Sequence, residues 1–407
     1  MEKRKLWIVT ELFYPEETST SYILTKIANK LVEKYEVNVV CGPATYDADK
    51  KEKSSGSFLS LNEEIKLLRL WGISLNKNNL PARILKLVML SLRMAFYLFG
   101  KVKHGDKVFI VTNPAPLLIF VSWIKRLKKF HLVILVHDVF PENTIPARIF
   151  KSSETDLYKL LRKMFNSAYT KADLLLVIGR DMKEIMVRKL IGYKRQPKVE
   201  VIENWAETDL IYPLRREKSD LEKYKLLDKI VIQYAGNIGR VQGLVELLEI
   251  INEVRNPTLH FCFWGNGALK EEMVEYVNKH KMTDVSFYGN YSRESQNDVL
   301  NCCDMAIVTL SDGMYGLAVP SKAYNIMAAG KPILFIGDGD SEIGRMVREN
   351  NLGHCFVPSD RDGIKRFFNE LSFDKIEILN GMGKRSYGLA ISSFSEKNIL
   401  DRFLSFV

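Results

Sequence analysis

Two rhythms of apolar and polar positions alternate along this chain. Short, nearly continuous apolar runs are separated by longer stretches in which apolar residues recur at helical spacing. Runs at Leu6–Thr10, Glu36–Val40, Ile65–Leu70, Lys107–Val111, Leu132–His137, Asp173–Val177 and Lys198–Ile202 read as strands. Helices are expected in the gaps, including one from about Ser21 to Tyr35, Pro114–Lys129 and Leu157–Lys171. The polar segment Gly42–Ser60 reads as a mobile loop. After Trp205 the pattern loosens into a charged, linker-like stretch as far as Leu227. A second series then follows at Ile230–Tyr234, Thr258–Phe263, Val285–Tyr288, Met305–Thr309, Ile333–Ile336 and His354–Val357. Strands alternating with helices imply parallel sheets covered on both faces. The expected fold class is therefore α/β, with two doubly wound Rossmann-like domains at residues 1–205 and 206–384. The amphipathic end, about 385–407, carries Phe394, Ile399, Phe403 and Phe406 and is expected to pack back on the first domain. Sheets of this kind bind ligands beyond the carboxyl ends of their strands, so a cleft should lie between the two.

Composition adds limits. A chain of 407 residues is too long for one compact core, and 46% apolar with 27% charged residues is ordinary for a folded protein. The five cysteines show no C-x-x-C spacing, and Cys302 and Cys303 are adjacent. That suits a reducing compartment and argues against a disulfide framework or a zinc site. The opening M-E-K-R-K-L-W-I-V-T has no signal-peptide core, and Ile84–Phe99 is interrupted by Lys86 and Arg93, so no membrane span is expected.

The net charge of +10 is uneven. Between Asn76 and His131 stand Lys77, Arg83, Lys86, Arg93, Lys101, Lys103, Lys107, Lys125, Arg126, Lys128 and Lys129, against Asp106 alone. Apolar residues such as Leu85, Leu92, Phe96 and Phe99 are interleaved with them. The pattern fits a helix on an anionic membrane surface, with Lys125, Arg126, Lys128 and Lys129 as docking residues. A buried helix with solvated lysines at its edges fits as well. A nucleic-acid partner is not expected, because no zinc-finger, RNP or basic-region pattern accompanies the charge.

Candidate chemistry gathers at strand ends. The stretch G-L-A-V-P-S-K-A-Y-N-I-M-A-A-G-K-P-I-L, Gly316 to Leu334, reads as a loop, a short helix starting at Pro320 and Ser321, a stop at Gly330 and a strand. A helix start with Lys322 in its first turn suits a phosphate, although an ordinary capped surface helix has the same signature. The strand at Ile230 runs into G-N-I-G-R-V-Q-G, where Gly236, Gly239 and Gly243 permit close phosphate approach and Arg240 adds a guanidinium. This is neither a G-x-G-x-x-G fingerprint nor a Walker loop, so hydride transfer and ATP hydrolysis lose support. F-W-G-N-G carries Gly265, and V-S-F-Y-G carries Tyr288. In the first half H-D-V-F-P-E-N places His137, Asp138, Glu142 and Asn143 at a strand's carboxyl end, a position that favours function over a satisfied core histidine.

These motifs, in this order and over nearly the whole chain, resemble family 4 glycosyltransferases of the GT-B fold. Within them the chain is most similar to bacterial polysaccharide enzymes that include N-acetylfucosamine transferases. The resemblance implies retaining transfer of an N-acetylated hexosamine or deoxyhexosamine from a UDP-sugar, with no catalytic metal or other cofactor. It implies an undecaprenyl-diphosphate-linked saccharide of capsule or O-antigen assembly as acceptor, and a peripheral position on the inner face of the plasma membrane. The donor would meet Gly236, Asn237, Gly239, Arg240, Gln242, Gly265, Tyr288, Pro320, Ser321, Lys322, Asn325 and Glu342. His137 would hydrogen-bond the donor sugar, Asp138 or Glu142 would orient the acceptor or the histidine, and Thr18, Ser19 and Thr20 would form the acceptor-side loop. Departures from the family pattern are plain. Its two glutamates, separated by seven residues, are here Leu317 and Asn325, and its loop arginine and lysine are Asn237 and Gln242. The pair Asp338 and Asp340 imitates a metal-binding D-x-D but reads as a loop into the next helix. A GT-B nucleotide-sugar 2-epimerase and a non-catalytic GT-B partner subunit remain alternatives, with a nucleic-acid glucosyltransferase behind them.

Overall fold

The computed structural model describes residues 3–16, 18–43, 59–72 and 80–407. Most of the loop expected at Gly42–Ser60, and Lys77, lie outside the described residues. The first half comprises β1 (Arg4–Thr10), α1 (Ser19–Leu31), β2 (Tyr35–Cys41), β3 (Lys66–Arg69), α2 (Leu80–Lys101), β4 (Lys107–Val111), α3 (Ala115–Lys128), β5 (His131–Val136), α4 (Asp156–Tyr169), β6 (Leu174–Val177), α5 (Arg180–Lys189) and β7 (Lys198–Val201). The second comprises β8 (Ile230–Ala235), α6 (Leu244–Asn252), β9 (Leu259–Trp264), α7 (Lys270–His280), β10 (Val285–Tyr288), α8 (Gln296–Asn301), β11 (Met305–Thr309), α9 (Lys322–Ala328), β12 (Ile333–Ile336), α10 (Glu342–Glu349), β13 (Gly353–Phe356) and α11 (Arg361–Glu370). Two further helices, α12 (Ile376–Ser392) and α13 (Glu396–Phe406), end the chain.

The strands form two parallel sheets, ordered β3-β2-β1-β4-β5-β6-β7 and β10-β9-β8-β11-β12-β13. Central strands are covered on both faces, which is why they read as unbroken apolar runs: every residue of β8, β9, β11 and β12 is buried. Register is set by these runs, with Ile8 of β1 between Val39 and Phe109, and Ile307 opposite Leu334. In both sheets the direction of winding reverses, at β1/β4 and at β8/β11. Those are the switch points beyond which ligands bind in such sheets.

The chain end returns in two stages. α12 stays with the second sheet and packs on α9, where Phe394 meets Tyr324 at 5.2 Å between ring centres. α13 then crosses to α1, burying Ile399 and Phe403, with ion pairs Lys26–Glu396 and Lys30–Asp401. Tyr35 donates its hydroxyl to the Val407 carbonyl at 2.6 Å. The crossing thus follows Ser392, later than the periodicity suggested, and Phe394 packs on the second half. Among the described residues no helix is long and apolar enough to cross a membrane.

Candidate active site

Loops beyond the carboxyl ends of both sheets wall a cavity of about 530 Å³. The second sheet supplies Gly236, Asn237 and Gln242 after β8, Tyr291 and Arg293 after β10, and Pro320, Ser321, Lys322 and Asn325 at the start of α9. The first supplies Ser19 and Tyr22 from α1 and Asp138 and Asn143 after β5, while Asn204, Trp205 and Glu207 come from the crossing segment.

Lys322 is the decisive charge. Its Nζ lies 3.4 Å from the centre of the Tyr234 ring, shielded from solvent and with no hydrogen-bond partner. Burial alone pushes its pKa down to about 7. Gly236 makes the approach possible: a Cβ there would lie 2.8 Å from Nζ, and φ is +145°. The Gly236 carbonyl in turn sits where a Gly265 Cβ would be, so Gly265 serves the packing of two loops. Gln242 lines the cavity with an unpartnered Oε1. Ser321 holds the N-cap position of α9 but makes no side-chain cap bond, and the helix has seven residues. The side-chain cap expected at Ser321 is therefore absent, and the feature that this turn brings to the cavity is the Lys322 amine.

Beside it lies a network linking both halves. Glu207 accepts from Arg293 Nη1 with both carboxylate oxygens at 2.8 Å. Asn325 donates Nδ2 to Glu207 Oε1 at 3.2 Å and accepts the Glu207 backbone N–H at 3.0 Å. The Arg293 guanidinium lies 3.5 Å from the centre of the Tyr22 ring. Asn325, expected to meet ribose, thus already has both ends of its amide engaged, and Glu207 is the carboxylate at that wall.

On the side of the first sheet, the backbone N–H groups of His137 and Asp138 both donate to Thr112 Oγ1 at 3.1 Å. The His137 Nε2 is shielded and unpartnered, and burial pushes the ring's pKa down to about 4, so the imidazole is neutral. Burial pushes Asp138 up from the ordinary carboxylate value, opposed by a hydrogen bond from Asn143. Ser19 reaches the cavity, and Thr18 caps α1 by accepting from the Ser21 N–H. Thr20 lies in the first turn of α1 behind Ser19.

Several expected residues are placed elsewhere. Both Glu142 oxygens are held by Lys189 Nζ at 2.5 Å, away from the cavity lining. Glu342 is buried and pairs with Arg180 of α5 at 3.1 Å while accepting the Arg180 backbone N–H at 2.6 Å, so it ties the two halves together. Tyr288 stacks on Trp264 at 4.2 Å. Arg240 is exposed and lines a neighbouring cavity of about 350 Å³ with Arg148 and Ser311. Asp338 accepts the Asp340 N–H and Asp340 pairs with Arg348 at 2.8 Å, which makes this D-G-D a braced turn. Lys125, taken as a docking residue, is 9% exposed and bound to Asp173 and the Phe130 carbonyl.

Comparison with known proteins accords with this geometry. Residues 216–388 match the family model for glycosyl transferases group 1. The chain is 34% identical over 412 residues to the "Probable glycosyltransferase WbjE" of Pseudomonas aeruginosa, covering 99% of this chain and 97% of that one. The chain belongs to the group 1 glycosyl transferases. Solved structures of this shape include HepE of Anabaena in complex with UDP, with a TM-score of 0.70, 11% identity and coverage of 99% of both chains. Another is WaaG, a glycosyltransferase involved in lipopolysaccharide biosynthesis, with a TM-score of 0.67, 11% identity and coverage of 98% of both chains. The fold is that of the GT-B glycosyltransferases.

This glycosyltransferase carries site residues that sequence patterns missed. Glu207 stands in the segment read as a linker, Arg293 in an unremarked loop, and Tyr22 within a helix face. No local motif marks any of them; charge in a short interdomain segment was the one available signal.

Proposed function

We propose that this glycosyltransferase moves a sugar from a UDP-sugar, with retention of anomeric configuration, to an undecaprenyl-diphosphate-linked saccharide. The process served would be assembly of a surface polysaccharide, capsule or O-antigen, at the inner face of the plasma membrane. The observation that carries the donor reading is Lys322: a shielded cation with no acceptor, facing a cavity at the switch point of the second sheet. A buried cation without a partner is costly, and a diphosphate would supply its missing acceptors. UDP in the HepE complex and the lipopolysaccharide role of WaaG support the donor and acceptor classes. The choice of an N-acetylated hexosamine or deoxyhexosamine rests on the motif resemblance.

In this reading the acceptor hydroxyl attacks the anomeric carbon on the face from which UDP departs. The bond from that carbon to the diphosphate breaks, the glycosidic bond forms, and the hydroxyl proton passes to the departing phosphate. Lys322 stabilises charge growing on the diphosphate, the largest electrostatic demand of the step. Glu207, oriented by Arg293 and Asn325, offers its carboxylate to the ribose hydroxyls. Asp138 stands at the opposite wall for the donor sugar and the acceptor, with the neutral His137 ring buried beside it outside the cavity lining. Charge stabilisation from side chains leaves no demand for a metal. A thermal-shift panel of UDP-sugars, followed by transfer assays with the best stabiliser, tests this: stabilisation by none of them would sink the reading.

A further inference from the structure

The surface formed by α2 and α3 combines exposed aromatic rings with uniformly positive charge. α2 exposes Leu85, Leu92, Phe96 and Phe99, and α3 adds Trp123 and Leu127. Trp71, just after β3, is 73% exposed and Phe96 is 81% exposed. Trp71 is nonetheless fixed in place. Arg93 donates Nη1 to its carbonyl at 2.6 Å and lays the guanidinium 4.9 Å from its ring centre. Trp71, Leu92, Phe96 and Tyr97 wall a shallow apolar trough of about 700 Å³, with Arg93 and Lys101 also lining it.

The sequence has no carboxylate from Ile65 to Gly105, nor from Lys107 to His137. Asp106 between them accepts from Trp7 Nε1 at 3.1 Å and from the Lys103 N–H at 3.0 Å. Lys128 lies 4.8 Å from the Phe99 ring, and Arg126 and Lys129 are exposed. A second copy docked here would bring like charges together, and a neutral apolar partner would leave the cations unmatched. A bilayer with anionic headgroups satisfies both features at once. Arg83 and Lys86, at the start of α2, lie within electrostatic reach of Glu11 beyond β1, so the face begins at the carboxyl edge of the first sheet.

We propose that this face inserts into an anionic phospholipid bilayer, with Trp71 and Phe96 below the headgroups and Arg93, Lys101, Arg126 and Lys128 against the phosphates. The inference builds on the reading of a lipid-linked acceptor and adds how the protein reaches it. Docking is therefore centred on the trough, not on Lys125.

Co-sedimentation of the full chain with phosphatidylcholine vesicles, with and without phosphatidylglycerol, tests the proposal, together with tryptophan quenching by lipids brominated along their chains. The wild type should bind the anionic vesicles and be quenched. The Trp71→Ser/Phe96→Ser variant should lose about tenfold or more in partition and most of the quenching. Its UDP affinity should be unchanged. If the variant binds anionic vesicles as well as the wild type, docking is electrostatic only and insertion is overturned, while the lipid-linked acceptor reading stands. If the wild type ignores anionic vesicles but forms dimers that the variant does not, the face is a self-association surface and the proposal fails. Loss of the donor reading would register separately, in UDP binding.

Discussion

Arg293 stacks its guanidinium on the ring of Tyr22, 3.5 Å from the ring centre, and so joins the second half of the molecule to the first across the cavity. The same guanidinium neutralises Glu207, whose side chain is 8% exposed. Arg293→Ala should therefore strand a buried carboxylate as well as sever the interdomain contact. The expected loss is about 2–3 kcal/mol, below that of a fully buried pair because Arg293 is partly solvated. Glu207→Gln in the Arg293→Ala background should restore much of it, read as the urea midpoint. Equal midpoints for Arg293→Ala and wild type would show that the pair contributes nothing to stability.

UDP affinity should fall as pH rises. Lys322 has its pKa lowered to about 7 by burial, so in the free protein the amine loses its proton as pH rises through that value. A diphosphate favours the charged form, and binding above this pH must therefore take up a proton. The dissociation constant should rise by up to about tenfold per pH unit between roughly pH 7 and 9. Calorimetry in buffers of different ionisation enthalpy would report the uptake. No uptake at pH 8 would mean the amine is already charged in the free protein.

Arg240 and Lys322 separate two accounts of the phosphate site. The glycine loop and the P-S-K helix start make Arg240 and Lys322 both candidates for donor binding, yet Arg240 is exposed and opens on the adjacent cavity. Arg240→Ala should weaken UDP binding by less than about fivefold, because a solvated charge contributes about 0–1 kcal/mol. A tenfold loss would show that Arg240 swings into the donor site.

Transfer should survive EDTA, since Lys322 is assigned the charge stabilisation that a metal would otherwise give. Complete loss of activity, restored by manganese, would turn Asp338 and Asp340 from turn braces into ligands.

What the sequence reveals divides along a physical line. Strands covered on both faces carry their burial in their own composition, and β4, β11 and β12 match their apolar runs residue for residue. Lys322 was legible because P-S-K at a strand-to-helix turn is a local pattern. Its missing partner was not, since that depends on Tyr234, far away in the chain. The partners of Glu142, Glu342 and Lys125 are illegible for the same reason. Each sits in a suggestive local context, but Lys189, Arg180 and Asp173 decide where each side chain points. Periodicity near Lys125 does not distinguish a solvated lysine from one buried against a distant aspartate. Glu207 has only its charge in a short interdomain segment to mark it, and that charge does not tell a cavity wall from a solvated linker.

The most direct test of the central claim is calorimetric titration of UDP into the wild type and into Lys322→Ala and Lys322→Met. The account predicts that both variants fold, since each removes a buried unpaired amine, and that both lose about tenfold or more in affinity, the loss of a charge-assisted contact of roughly 1.5–3 kcal/mol. Well-folded variants that bind UDP as tightly as the wild type would contradict it.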